Sequence, residues 1–115
     1  MKLLHVTIQT ARFDEEIAFY REIAGLTIRR DARPGRNMVF LSDAEGDTEI
    51  EIIEAPAAAD AGNTHLSVGF RSGDAEALRA ALEAKGYAPT PMVSPNPAVK
   101  FFFVKDPAGV NVQFM

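Results

Sequence analysis

The chain contains no cysteine. That excludes disulfides, a thiolate zinc site and a cysteine nucleophile, so any metal must take histidine, carboxylate or amide ligands. An excess of basic charge is also missing. The net charge is −4 and the pI about 5.1, which disfavours general binding to nucleic acid or to an anionic membrane. No long hydrophobic run is present, neither a signal peptide nor a transmembrane segment, so a cytoplasmic location is expected. Histidine is scarce, with only two residues, His5 and His65. What remains is ordinary globular material. Of 115 residues, 47% are hydrophobic and 24% charged, enough for one cored domain or two very small units.

Both histidines head alternating segments. In Leu4-His5-Val6-Thr7-Ile8-Gln9 the polar residues share one phase and the apolar ones the other. Asn63-Thr64-His65-Leu66-Ser67-Val68-Gly69-Phe70 repeats the pattern. Such alternation predicts strands with one buried face. Around them the chain predicts a strand over Lys2–Thr10, a helix over Asp14–Ala24 with a stripe of Phe13, Ile17, Tyr20 and Ala24, and strands over Leu26–Arg30, Asn37–Leu41 and Thr48–Glu54. Asp14, Glu15 and Glu16 suit the helix start and Gly25 its end. Ala55–Gly62 reads as a linker. The order then recurs: a strand over His65–Arg71, a helix over Asp74–Lys85 capped by Asp74 and stopped by Gly86, a short strand over Tyr87–Met92, and strands over Lys100–Val104 and Val110–Phe114.

Offsets make the recurrence quantitative. His5 to His65 spans 60 positions, Gly25 to Gly86 spans 61, Glu51 to Gln113 spans 62, and Asp43 to Asp106 and Gly46 to Gly109 both span 63. Two copies of one strand–helix–three-strand unit are therefore expected, residues 1–54 and 63–115 around a linker at 55–62. Each copy carries two polar residues on the polar phase of its strands: His5 and Glu51 in the first, His65 and Gln113 in the second. A single strand histidine is usually a half-buried polar residue, and a glutamate in Glu49-Ile50-Glu51 is usually solvated. Their joint placement at equivalent positions is what favours convergence on a divalent metal such as Zn, Ni, Co, Mn or Fe.

Other features stand beside these four. Arg29, Arg30, Arg33 and Arg36 form a basic cluster that can receive an anionic substrate or simply lie in a solvated loop. The proline-rich stretch Met92–Val99 can be a lid or a long connection. Phe101 and Phe103 oppose Phe102 in phase, so one or more rings can line a cup. Thr7, Gln9, Ser67 and Asn111 share the polar face and can hydrogen-bond a ligand.

These motifs resemble the vicinal oxygen chelate superfamily, which includes glyoxalase I, methylmalonyl-CoA epimerase, extradiol dioxygenases, and fosfomycin and bleomycin resistance proteins. Three matches carry the resemblance: His5 with Phe19-Tyr20 and Gly25, His65-Leu66-Ser67-Val68-Gly69, and Phe103-Val104-Lys105-Asp106-Pro107-Ala108-Gly109-Val110-Asn111-Val112-Gln113. It implies an α+β fold of two βαβββ modules in an eight-stranded mixed half-barrel, helices on the outer face, within a single glyoxalase-like domain over 1–115. It implies a metal set of His5, Glu51, His65 and Gln113, with Glu51 also the catalytic base. From the basic cluster, the aromatic strand and the polar face, Arg33, Arg36, Phe101 and Asn111 are the candidate substrate contacts. The resemblance implies a homodimer, with the cup built within one chain or across two. The activity implied is a lyase or isomerase of the glyoxalase-like kind, acting on a small α-oxo compound or its thiol adduct through a metal-stabilised enediolate. The alternative is a metal-free protein that binds a drug or metabolite, as bleomycin-resistance proteins do. The departure is Gln113, where bacterial glyoxalases carry glutamate: an amide cannot serve as a base near neutral pH.

Overall fold

Four glycines with positive φ show the repeat in three dimensions. A computed structural model describes residues 1–115. In it Gly25 and Gly86 follow the two α-helices at φ +70° and +91°, and Gly46 and Gly109 lie in two strand-to-strand turns at +86° and +95°. A side chain is strained in this region, so glycine holds these turns at matching places in both halves. The first half runs β1 (His5–Thr10), α1 (Phe13–Glu22), β2 (Thr27–Asp31), β3 (Met38–Ser42) and β4 (Glu49–Glu54). The second runs β5 (Ser67–Phe70), α2 (Ala75–Ala84), β6 (Val93–Asn96), β7 (Val99–Lys105) and β8 (Asn111–Phe114).

Each half forms a four-stranded mixed sheet, ordered β1-β4-β3-β2 and β5-β8-β7-β6. In both, the first strand pairs in parallel with the last and the other pairs are antiparallel. The fold is thus α+β with two βαβββ modules, and its sheets are not closed into a barrel. The apolar phases face the helices. Ile8, Val39, Leu41, Ile52, Phe102, Val104, Val112 and Phe114 are buried there, with Phe13, Ile17, Phe19 and Tyr20 of α1 and Leu82 of α2. They belong to one continuous cluster that spans both modules. Helix α1 reaches across: Phe19 meets Tyr87 at 5.7 Å between ring centroids and Tyr20 meets Phe70 at 6.2 Å. Asp74 caps α2, accepting from the Ala77 N–H at 3.0 Å.

The Asp-Pro-Ala-Gly turn fastens the modules from the other side. Asp106 is buried and accepts from the Tyr20 hydroxyl at 2.8 Å and from the Ala108 and Val110 N–H groups at 3.0 and 2.9 Å. Glu16, also fully buried, accepts from the same Ala108 N–H at 3.3 Å.

Two segments depart from the sequence expectation. The expected linker at 55–62 is a 3-10 helix, Ala57–His65. Its composition is linker-like, but two side chains order it against β1 and the β7–β8 turn. Asp60 accepts from the Thr10 hydroxyl at 2.5 Å and the Ala11 N–H at 3.2 Å, and buried Asn63 donates to the carbonyls of Gln9 and Ala108 at 3.0 and 3.3 Å. The expected strand over His65–Arg71 therefore begins only at Ser67, and His65 ends the 3-10 helix instead. The strand expected over Tyr87–Met92 forms later, at Val93–Asn96, with Pro95 inside it. An edge strand tolerates a proline because one side of it needs no ladder donor; β6 is the outer strand of its sheet.

Candidate metal and ligand site

The open face of the first sheet carries one row of side chains across all four strands. Thr7 on β1 stands opposite Glu51 on β4, Glu51 opposite Phe40 on β3, and Phe40 opposite Arg30 on β2. Directly opposed residues share a face. Arg30 reaches this row only because the β2–β3 register shifts between Ile28 and Arg30. Without that bulge, Ile28 and Arg30 would follow the two-residue period onto one face. With it, Ile28 joins the apolar side and the Arg30 guanidinium lies 3.7 Å over the Phe40 ring. One Arg30 nitrogen also bonds Glu49 at 2.8 Å.

His5 stands one residue pair along the same face, opposite Glu49. Its ring meets the Phe40 ring edge to face, with centroids 5.7 Å apart. His5 Nε2 lies 3.9 Å from Glu51 Oε1. That is too long for a hydrogen bond. It suits two donors to one ion, because metal–ligand bonds of about 2.0–2.2 Å let donors up to roughly 4 Å apart touch the same metal. Thr7 donates its hydroxyl to the same Glu51 Oε1 at 2.5 Å. Glu51 itself is buried at 8% exposure. His5 and Glu51 are thus a pair that fits a metal.

The second module is not a symmetric copy at this point. Gln113 on β8 stands opposite Gly69 on β5 and Phe103 on β7. By register, therefore, Gly69 answers Thr7, Gln113 answers Glu51, and Phe103 answers Phe40. His65 lies before β5 and has no ladder partner. The offsets hold the reason: β1 to β5 counts 60 by the histidines, whereas β4 to β8 counts 62, so His65 sits two residues outside the place His5 occupies. It is exposed. No three His, Cys, Asp or Glu side chains of one chain come together as a metal-holding group, so His65 does not join His5 and Glu51 within the chain.

The four expected substrate contacts scatter. Arg33, in the turn after β2, forks onto Asp31 with bonds of 2.9 and 2.7 Å. Those bonds hold the exposed Asp31 carboxyl down to about 2. Arg33 lies toward α1, 5.9 Å over the Phe13 ring. Arg36 is exposed in the same turn. Asn111 ties β8 to the 3-10 helix, donating to the Thr64 carbonyl at 3.1 Å and accepting from Lys105 at 2.9 Å. Phe101 is half-buried and meets Phe103 edge to face at 5.9 Å, which places it beside Gln113's row. The sequence reading passed over Phe40, although it stands 63 positions before Phe103, the offset already seen for Asp43 and Asp106. Arg30 belonged to the expected basic cluster, but its place in this row was not legible, since the bulge that turns it is not written in the local pattern.

The largest cavity, about 770 Å³, lies elsewhere. It opens between the modules on the helix side, where Val6, Ile50, Val68, Phe70 and Phe114 line it. Val6 and Ile50 are the opposite phase from His5 and Glu51, so this cleft and the donor pair are on different faces of the sheet.

Comparison with known proteins identifies a family. The profile of the Glyoxalase/Bleomycin resistance protein/Dioxygenase superfamily matches residues 2–114. No curated protein sequence matches. Among solved structures, the trypanothione-dependent glyoxalase I of Leishmania major superposes with a TM-score of 0.72 at 20% identity, covering 100% of this chain and 86% of its own. TnmS3, an antibiotic binding protein from Streptomyces sp. CB03234, gives 0.74 at 17% identity, with 99% and 93% covered. The bleomycin-binding protein of Streptomyces verticillus gives 0.65 at 19% identity, with 100% and 95% covered. At these identities the likeness is one of fold.

Proposed function

Because the chain belongs to the glyoxalase/bleomycin resistance protein/dioxygenase superfamily, we propose that it is a metal-dependent lyase or isomerase acting on a small α-oxo compound or its thiol adduct. The observation that carries this reading is the His5–Glu51 pair, two donors 3.9 Å apart on an open sheet face with the carboxylate held by Thr7. A bound divalent ion supplies polarisation of a substrate carbonyl. His5 and Glu51 hold it from the first module, and His65 and Gln113 complete the donor set. Glu51, the one carboxylate among the four, accepts the substrate proton. Phe40, Phe101 and Phe103 exclude water beside it, and Arg30 offers a cation for an anionic group of the substrate.

The donors assemble across a homodimer in this reading, the first module of one copy facing the second module of the other. Three observations support that arrangement. His65 is not gathered to His5 and Glu51 within the chain. Thr7, Gln9 and Ser67 on the polar phases are exposed. The chain is elongated at 47 × 31 × 25 Å, with a radius of gyration of 14.4 Å against about 13 Å for a compact chain of ~100 residues.

A second reading, a metal-free drug or metabolite binder, draws on that same absence of a three-ligand group within the chain and on the aromatic rows of Phe40, Phe101 and Phe103. One experiment separates the two. Protein purified without chelator is expected to carry about one divalent metal per chain by elemental analysis, to run as a dimer by light scattering, and to lose the metal in His65→Ala. Stoichiometric binding of bleomycin by metal-free protein, undiminished in the His5→Ala/His65→Ala double variant, would overturn the enzyme reading in favour of the binder.

A further inference from the structure

The two modules differ at the residue facing their fourth-strand donor. In the first, Thr7 faces Glu51 across the parallel β1–β4 pair and its hydroxyl bonds Glu51 Oε1. In the second, Gly69 faces Gln113 across the parallel β5–β8 pair. A Cβ built on Gly69 would stand 3.6 Å from Gln113 Oε1, ordinary contact distance, so glycine is not required there by crowding. The side chain that would steady the amide is simply missing.

We propose that Thr7 is a positioning residue: it fixes the Glu51 carboxylate in the orientation that presents it, together with His5 Nε2, to a divalent metal. The proposal deepens the metal reading above and rests on it. Three features argue that the hydroxyl does more than decorate an exposed strand. First, it bonds the carboxylate oxygen that faces His5, not the other one. Second, threonine is β-branched and restricted at χ1, so few orientations of its hydroxyl compete with the one that bonds Glu51. Third, a glutamate has three rotatable bonds whose freedom must be surrendered when it binds an ion. A carboxylate already pinned in the free protein surrenders less on binding, which is how partners behind metal ligands raise affinity. Phe40 borders the pair from the other side, stacked under Arg30 and edge-on to His5. His5 and Glu51 are therefore restrained from two directions, while Gln113 stands between Gly69 and Phe103, and Gly69 offers it no hydroxyl. Within the donor set, the first module supplies the rigid half and the second the adaptable half.

The test uses the metal alone. Zinc is titrated into chelator-stripped full-length protein by calorimetry, or by competition with a chromophoric chelator, for wild type, Thr7→Val and Thr7→Ser. Valine keeps the β-branched shape and removes the donor; serine keeps the donor. Thr7→Val is expected to weaken zinc binding by about 10–100-fold, with Thr7→Ser restoring most of it. Thr7→Val is expected to lower the melting temperature of the metal-free protein by a few degrees, because it takes a donor from the buried Glu51 carboxylate, and Thr7→Ser to keep it, so zinc affinity is compared at a temperature where all three are folded. Thr7→Val binding zinc as tightly as wild type, or Thr7→Ser binding as weakly as Thr7→Val, overturns the positioning role and leaves the metal reading standing. A wild-type protein that binds no zinc, nickel, cobalt, manganese or iron overturns both.

Discussion

Replacing Glu16 by glutamine tests whether the buried carboxyl between the modules carries a proton at neutral pH. Glu16 is fully buried on α1, accepts from the Ala108 N–H through Oε1, and has no donor at Oε2. Burial foremost, then the neighbouring Asp106 carboxylate, push its pKa from 4.5 up to about 10; Asp60 adds to the repulsion. The native state therefore keeps a proton that the unfolded chain releases near pH 4.5. With the folded value raised, this group's stabilisation is complete below pH 4.5 and is lost progressively as pH rises toward about 10. One proton of difference costs about 1.4 kcal/mol of stability per pH unit in that window, or roughly 3 kcal/mol between pH 6 and 8. Glutamine has nearly the same shape, stays neutral, and can accept from the Ala108 N–H as Glu16 does. Urea unfolding of wild type and Glu16→Gln at pH 6, 7 and 8 is the assay. Subtracting the two curves cancels every other titrating group, and the difference is expected to move in favour of the variant by about 1.4 kcal/mol per unit. Parallel pH dependences would refute the reasoning and show that Glu16 is ionised in the native protein.

Two further outcomes are expected. Tyr20→Phe removes the 2.8 Å donor to buried Asp106, and should cost about 1–3 kcal/mol in urea unfolding; a value near zero would mean that the link between α1 and the β7–β8 turn does not hold the modules. Gln113→Glu restores a second carboxylate to the donor set and is expected to raise turnover of the glutathione–methylglyoxal hemithioacetal by about 10²-fold, the lower end of a general base's worth; unchanged turnover with metal bound would direct attention to another substrate.

The helix stripe shows both how far sequence patterns reach and where they stop. Phe13, Ile17 and Tyr20 were readable from their spacing and are buried. Glu16 has the look of a dipole-favoured charge at a helix start, yet it is as buried as they are. Its burial comes from Ala108 and Asp106, some ninety residues away, which no local window contains. The same holds for the 3-10 helix. Its small residues read as a linker, and contacts from Asp60 and Asn63 to distant backbone ordered it.

What the sequence determined by itself was phase and repetition. Alternation put His5, Thr7, Glu51 and Gln113 on open faces, and the offsets near 60 implied two βαβββ modules. These are local properties, set by side chains two residues apart and by glycines that alone accept a positive φ. The tertiary structure decided register. It set Thr7 rather than His5 opposite Glu51, Gly69 rather than His65 opposite Gln113, and it turned Arg30 onto Phe40 through a bulge. Register is fixed by which strands pair and where their ladders begin. A two-residue slip preserves every alternation in the sequence, yet moves a histidine a full pleat away from the donor it was expected to meet.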